Sequence, residues 1–406
     1  MKQYTKSIYQ NFAVLILLLL VLFSCNKIYD PIGSIEKRIP GDSLNTLSKK
    51  IATNGKYTIL NAGLIRTGLN IRLDNPDAKF TIFAPTDSAF NALGITLNVI
   101  NALPLNQLTP LLSYHVIPNE IVRAASIPVS FPNIQRGTAL DIASRALVTG
   151  VPTTSIPIKM TAFPSRRTDS AWINNIPVVA KDDIVASNGV VHGIALIMNP
   201  PTKILAQDLQ ADPDFTFLLA AVARADSGLL TDRSPSFQYA LSEPLANLTV
   251  FAPTNNAFRT ILDTLIKRAL IRAGLDQATA ALQATALSAN PTVFSNPVLY
   301  PVLTAQVVRA LIAYHILGSR AFPSNFSSIA SNFPTLLNLN PLTASHPGIT
   351  VSSSFTGRIA TGLQVKGFVN PLPTNAIPKT AGGPVENLYV NGIYYKIDQV
   401  LIPFLP

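Results

Sequence analysis

The chain has 406 residues, 48% of them hydrophobic and 13% charged, with a formal net charge of +10. That balance excludes a chain held unfolded by charge and supplies enough apolar surface for two or three domain cores. The basic excess is scattered, with Lys49–Lys50 and Arg166–Arg167 its densest points, so the like-charge run of a nucleic-acid-binding arm is missing and no nucleic-acid partner is expected.

Lys2 and Lys6 precede an apolar run from Phe12 to Phe23, which ends at Ser24–Cys25. A basic start followed by a short apolar stretch reads as an export signal, too short for a comfortable membrane span. Cys25 is the one cysteine of the chain, so an internal disulfide is excluded. Leu22–Phe23–Ser24–Cys25 resembles the lipobox of bacterial lipoproteins, with Phe23 bulkier than the pattern prefers. The resemblance implies lipidation at Cys25, and Asn26 in place of an inner-membrane retention Asp implies the outer membrane, periplasm-facing or surface-exposed. A plain signal peptide and an uncleaved anchor helix are the alternatives. Acyl chains on one cysteine make a stable anchor, since each buried methylene contributes about 0.8 kcal/mol. Residues 25–40 are polar with two prolines and read as a tether after a signal peptide at 1–24.

Beyond the tether the sequence repeats itself. Phe80–Phe90 (FTIFAPTDSAF) returns as Leu248–Phe258 (LTVFAPTNNAF), Tyr114–His115 returns as Tyr314–His315, and the Asn-Gly block at Asn188 returns at Asn391. The first block recurs about 168 residues on and the second about 200, so the second copy carries roughly 32 extra residues between them. Two copies are too few for a solenoid and each is domain-sized, at 41–200 and 201–406. The extra length falls in the Ala-rich segment Arg268–Asn290, whose apolar spacing predicts an added helix within an insertion at 262–300.

Each copy opens with a helical stretch. FTIF and LTVF are β-branched and aromatic runs, hence buried strands. The Ala-Pro step ends each strand, and Thr86 and Thr254 are placed to cap a helix whose Phe90 or Phe258 faces the core. The Tyr-His block closes a helix predicted to begin near Thr109–Pro110, a cap followed by proline. The Asn-Gly block predicts a hairpin turn leading into a last strand. Strand-like runs fill the interval: IPIKMTAF (156–163) and AWINNIPVVA (171–180) in the first copy, ITVSSSF (349–355) and LQVKGFV (363–369) in the second. With 32 prolines against 20 glycines, short elements and long ordered connections are expected. The fold class is α+β, helices early and strands late.

The order FAPT[DN]xAF, YH, NG followed by a hydrophobic strand and Pro, present twice, resembles the fasciclin domain family over about residues 41–406. The resemblance implies, for each copy, a β-sandwich or wedge of about seven strands with flanking helices. It implies a function in cell adhesion or in binding extracellular polysaccharide, matrix protein or envelope protein. It also makes Tyr114, His115, Tyr314 and His315 the candidate partner-binding positions. The family's last block reads NGxxHxID. The first copy keeps His192 but has Ala195, and the second keeps Asp398 but has Tyr395.

The residues themselves argue for binding over catalysis. The four histidines, His115, His192, His315 and His346, lack the close spacing and cysteine neighbours of a zinc site, so neither metal nor cofactor is expected. Each instead reads as a histidine bonded to backbone at the end of an element. No GxSxG, HExxH or phosphate-cradling glycine loop is present, and Asp182–Asp183 reads as a solvated pair before a turn. Tyr114 and Tyr314 suit either a core edge or an interface. Leu282, Leu287 and Phe294 of the insertion form either an exposed apolar face or a cover for the domain's own core or the seam between domains. The expectation is therefore a lipid-anchored binding protein of the cell surface; the alternative is a structural subunit of an outer-membrane lipoprotein complex without an external ligand.

Overall fold

A computed structural model describes residues 43–129, 131–142 and 158–404. The expected signal peptide, the tether and Cys25 lie outside these residues. In the first copy, helices α1 (Leu47–Ala52), α2 (Thr58–Thr67) and α3 (Leu69–Leu73) lead into strand β1 (Phe80–Pro85). Helices α4 (Asp87–Asn91), α5 (Leu97–Ala102) and α6 (Leu105–Tyr114) follow, and then strands β2 (Val116–Pro118), β3 (Arg136–Asp141), β4 (Lys159–Ala162), β5 (Pro164–Arg167), β6 (Ser170–Ile173), β7 (Ile176–Ala186) and β8 (Gly189–Ile194).

The second copy runs in the same order. Helices α7 (Leu205–Ala211), α8 (Thr216–Ala225) and α9 (Phe237–Ser242) precede β9 (Leu248–Pro253). Then come α10 (Asn255–Arg272), α11 (Gln277–Ser288), α12 (Ala305–Tyr314) and β10 (Ile316–Leu317). The later strands are β11 (Ser331–Phe333), β12 (Ile349–Thr356), β13 (Ile359–Lys366), β14 (Thr374–Ile377), β15 (Asn387–Tyr389) and β16 (Gly392–Ile397).

Each copy builds one main sheet around its first block. The order is β2-β1-β8-β7-β6-β5 in the first copy and β10-β9-β16-β14-β13-β12-β11 in the second, where β15 also pairs with β16; β3 and β4 form a separate ribbon. In both copies the first strand runs parallel to the last, Phe80 opposite Gly189 and Leu248 opposite Gly392. Strands flanked on both sides and covered on both faces need continuous apolar sequence, as FTIFAP and LTVFAP provide. Period-two alternation divides β1: Phe80, Ile82 and Ala84 pack under the helices of the first copy. Phe83 points the other way, into a cluster that continues into the second copy.

The Asn-Gly hairpins form with Ser187–Asn188 and Val390–Asn391 as turn residues, so each glycine is the first residue of its strand. At Gly189 an added Cβ would lie 2.2 Å from the Phe80 carbonyl oxygen, and at Gly392 it would lie 2.6 Å from that of Leu248. These glycines therefore permit the close approach of the two parallel strands.

Three expectations need correction or refinement. The helix that ends at Tyr114 begins at Leu105, not near Thr109, and Pro110 sits inside it. Leu108 and Leu112, both buried, hold the helix to the core across the hydrogen bond that proline removes. The insertion forms a long continuation of α10 together with α11, which covers its own copy: Phe294 is buried edge-on against Phe258 and Leu287 packs on the core, while Leu282 stays in solvent. Asp182 and Asp183 are not a solvated pair before a turn. They sit within β7, where its register with β8 shifts, and both are engaged: Asp182 accepts from the Ala124 N–H at 3.2 Å, and Asp183 accepts from the Tyr57 hydroxyl at 2.8 Å and Lys56 at 2.9 Å.

Candidate functional site

The recurring polar residues are the natural candidates, and each copy uses them in the same way. Thr86 and Thr254 cap their helices by accepting from Ala89 and Ala257 N–H groups, at 3.3 and 3.2 Å. The next residue reaches back to an earlier helix start. Asp87 accepts from the Thr58 and Ile59 N–H groups, and Asn255 accepts from that of Phe217.

Asn188 and Asn391 tie three segments together. Asn188 accepts from the Leu47 N–H at 2.8 Å and donates to the carbonyls of Leu73 and Asn75. Asn391 accepts from Leu205 N–H at 2.8 Å and donates to the carbonyls of Leu241 and Glu243. A buried amide that uses both ends satisfies its own polar atoms where α1 or α7 meets the sheet.

Tyr114, His115, Tyr314 and His315 are all buried, none above 1% exposed. The Tyr114 hydroxyl donates to the Thr161 carbonyl at 3.2 Å and accepts from the Asn174 amide at 2.8 Å. The Tyr314 hydroxyl donates to the Gly348 carbonyl at 2.6 Å and accepts from Phe368 N–H at 2.9 Å. Burial pushes both phenols up to about 12.

His115 Nδ1 donates to the Leu111 carbonyl at 2.8 Å while its Nε2 accepts from Met198 N–H at 2.9 Å. His315 repeats both bonds with Leu311 and Leu401, at 2.8 and 2.9 Å. Nε2 accepts, so the proton is on Nδ1 and the ring is neutral. Burial holds both histidines down at about 4. A partner that touches the folded surface meets none of these four side chains, which act as internal braces between the YH helix, the strands and the segment after the last strand.

The other two histidines are also spent on backbone. His192 donates from Nε2 to the Val122 carbonyl at 2.7 Å and accepts at Nδ1 from Asp182 N–H at 3.0 Å. His346 donates to the Pro403 carbonyl at 2.9 Å and accepts from Gly348 N–H at 3.0 Å. With both ring nitrogens of all four histidines occupied, none is available as a metal ligand or proton carrier. Among the described residues no cluster of three or more His, Cys, Asp or Glu has metal-binding geometry, and no helix is long and apolar enough to cross a membrane.

Sequence reasoning missed a seam that joins the copies. Asn133 and Asn325 exchange two amide hydrogen bonds, both 2.8 Å. Asn175 accepts from Ser324 N–H at 2.9 Å and donates to Glu386 at 2.7 Å. Trp172, fully buried, donates to the Arg358 carbonyl at 2.8 Å. Arg167 donates to the Phe326 carbonyl at 2.6 Å and lies over the Phe355 ring at 4.1 Å.

At the centre Arg320, also buried, stacks 4.7 Å from the Phe163 ring and donates to the Val390 carbonyl at 2.9 Å. Among the described residues no carboxylate pairs with it, and burial lowers its guanidinium to about 10, so it remains charged at neutral pH. Phe333 packs edge to face against both Phe131 and Phe326, which are tilted against each other. Arg167, Trp172 and the isolated aromatics were visible in the sequence, but nothing in their local spacing marks them as facing a second copy.

A scan of family models matches residues 55–200 to the model described as Fasciclin domain. Among curated proteins, the chain is 23% identical over 216 residues to transforming growth factor-beta-induced protein ig-h3 of Sus scrofa, covering 53% of this chain and 26% of that protein. It is 29% identical over 162 residues to protein sll1483 of Synechocystis sp., covering 39% of this chain and 76% of that protein. The chain thus spans about a quarter of the porcine relative and about three-quarters of the cyanobacterial one. Among solved structures it is similar to a FAS1 domain pair from the insect cell adhesion molecule Fasciclin I. That match has a TM-score of 0.31 and 13% identity, and it covers 87% of this chain and 95% of that one.

Proposed function

We propose, from the match of residues 55–200 to the fasciclin-domain model, that the chain is a non-catalytic binding protein, two fasciclin units joined across a hydrogen-bonded seam, and that it grips an extracellular polysaccharide, matrix protein or envelope protein. Fasciclin domains are generally linked to cell adhesion and to binding of extracellular molecules. The observation that carries the reading is the inward use of the histidines, the YH tyrosines and the Asn-Gly asparagines. They all bond to backbone or to neighbouring core groups. Such residues build a scaffold and leave chemistry to none of them; what remains for function is the fixed outer surface.

The same proposal places the chain on the outer membrane through acylated Cys25, on the support of the lipobox-like Leu22–Cys25 segment. Metabolic labelling with palmitate tests the anchor, with Cys25→Ala as the unlabelled control. Titration of the full chain against a panel of polysaccharides and matrix proteins tests the function. Saturable binding that survives Tyr114→Phe and Tyr314→Phe supports a surface-borne site. Absence of saturable binding across the panel overturns the adhesive reading.

A further inference from the structure

The two copies differ at one place that their shared motifs leave open. In the first copy α2 passes through Gly68 directly into α3. In the second, α8 and α9 are separated by Asp226–Ser236, a connection about ten residues longer. The helices themselves correspond, since Arg66 bonds the Leu103 carbonyl at 2.9 Å and Arg224 bonds that of Leu303 at 2.9 Å. The extra loop is stapled shut. Buried Asp226 accepts from the Ser236 hydroxyl at 2.7 Å and from the N–H groups of Phe237 and Gln238, both at 2.9 Å, and it pairs with Arg309 at 3.3 Å.

Holding α9 away from α8 opens a cleft of about 290 Å³ between α7, α8, α9 and the loop. Leu219, Ala223 and Leu241 form apolar walls, and Gln210, Gln238 and Thr231 supply polar edges. Its inner wall continues towards Val250 and Ile312 of the core. By the correspondence of α2 with α8, the first copy carries Asn61 in place of Leu219 and Ile65 in place of Ala223. The apolar wall and the room beside it thus belong to the second copy alone.

We propose that this cleft is a binding site for a small neutral amphiphile, an apolar chain or ring with an uncharged hydrogen-bonding head. The volume is nearly twice the roughly 150 Å³ of an apolar cavity that accepts benzene, which sets the ligand at about ten to fifteen non-hydrogen atoms. Neutrality follows from the lining: none of its residues is charged, so a carboxylate or ammonium head would enter without a counter-charge. The amides of Gln210 and Gln238 and the hydroxyl of Thr231 each donate and accept, which suits an alcohol or ester head.

The test is calorimetric titration of the full chain with 1-decanol and, separately, with decanoate at neutral pH. The expected result is one saturable site for 1-decanol. Decanoate binds about tenfold more weakly or worse, and Ala223→Ile, which restores the bulk found in the first copy, weakens 1-decanol by about tenfold or more. Ala223 is solvent-exposed on its helix, so this variant folds as the parent does. Leu219→Asn, the other first-copy residue, guards the result with a change of polarity rather than volume. The absence of saturable 1-decanol binding overturns the proposal, as does parent-like binding by both variants. Equal affinity for decanoate overturns the assignment of a neutral ligand.

Discussion

His192 and Tyr395 occupy the same position in the two copies and make the same hydrogen bond with different chemistry. His192 Nε2 donates to the Val122 carbonyl at 2.7 Å, and the Tyr395 hydroxyl donates to the Ala321 carbonyl at 2.7 Å. Val122 and Ala321 correspond, because each N–H donates to the strand threonine, Thr81 or Thr249, at 2.7 and 2.8 Å. Each ring also packs on the phenylalanine of the first strand, His192 tilted against Phe83 and Tyr395 stacked on Phe251. A tyrosine thus replaces the histidine at this position without loss of the hydrogen bond, which fits a structural role and not a chemical one. Tyr395→Phe keeps the stack and orphans the Ala321 carbonyl, so it should lower stability by about 1–3 kcal/mol in a urea titration. A change below a few tenths of a kcal/mol would mean that this bond does not hold the strand in place.

Acid should weaken the fold before the paired carboxylates of Asp183 and Asp208 are protonated. His115 and His315 are held near 4 in the folded chain against 6.5 in the unfolded one. A depressed histidine binds its proton in the unfolded state first. Its stabilising contribution is thus fully present above pH 6.5 and is lost as pH falls from 6.5 towards 4. At about 1.4 kcal/mol per unit the loss is on the order of 3 kcal/mol for each histidine. Denaturation midpoints measured between pH 7.5 and 4 should fall through this window, and a flat profile there would contradict the neutral buried rings. Asp183 and Asp208 are shifted down, so their losses belong to lower pH.

Asn188→Ala and Asn391→Ala should each destabilise by about 2–4 kcal/mol, since each removes an amide that serves one N–H and two carbonyls in the core. Leu→Ala at solvent-exposed Leu282 should change stability by under about 0.5 kcal/mol. Chemical denaturation of the three variants side by side checks the contrast.

The seam makes a calorimetric prediction. The apolar cluster that begins at Phe83 is continuous through Phe163 and Phe322 into the second copy, so the chain should unfold in one transition. Trp172→Ala removes the ring under Arg167 and the donor to Arg358, at a cost of about 3–5 kcal/mol. It should broaden the transition or split it into two. An unchanged single peak would mean that Trp172 does not couple the copies.

Much of each copy was legible from local pattern. Apolar β-branched runs beside Ala-Pro gave β1 and β9, and Thr86 and Thr254 cap as their spacing requires. Pro110 misled because a proline after threonine reads as a helix start, whereas tertiary burial of Leu108 and Leu112 carries the helix through it. The YH residues were recognisable as a motif, but sequence does not say whether a tyrosine faces solvent or core; that depends on the strands at Thr161 and Gly348. The seam was not legible at all. Its partners, such as Asn133 with Asn325, lie far apart in the chain and carry no shared local pattern.

The parallel pairing of first and last strands fixes when each half becomes a protein. Phe80 meets Gly189 and Leu248 meets Gly392, separations of about 110 and 145 residues, so the first strand of each sheet waits for a partner from the end of its own unit. A chain emerging from the ribosome therefore presents β1 with one flank open until nearly its whole copy has been made, and the second copy repeats the delay. Until that closure the apolar FTIFAP and LTVFAP strands each keep an unpaired edge, the kind of edge on which chains associate.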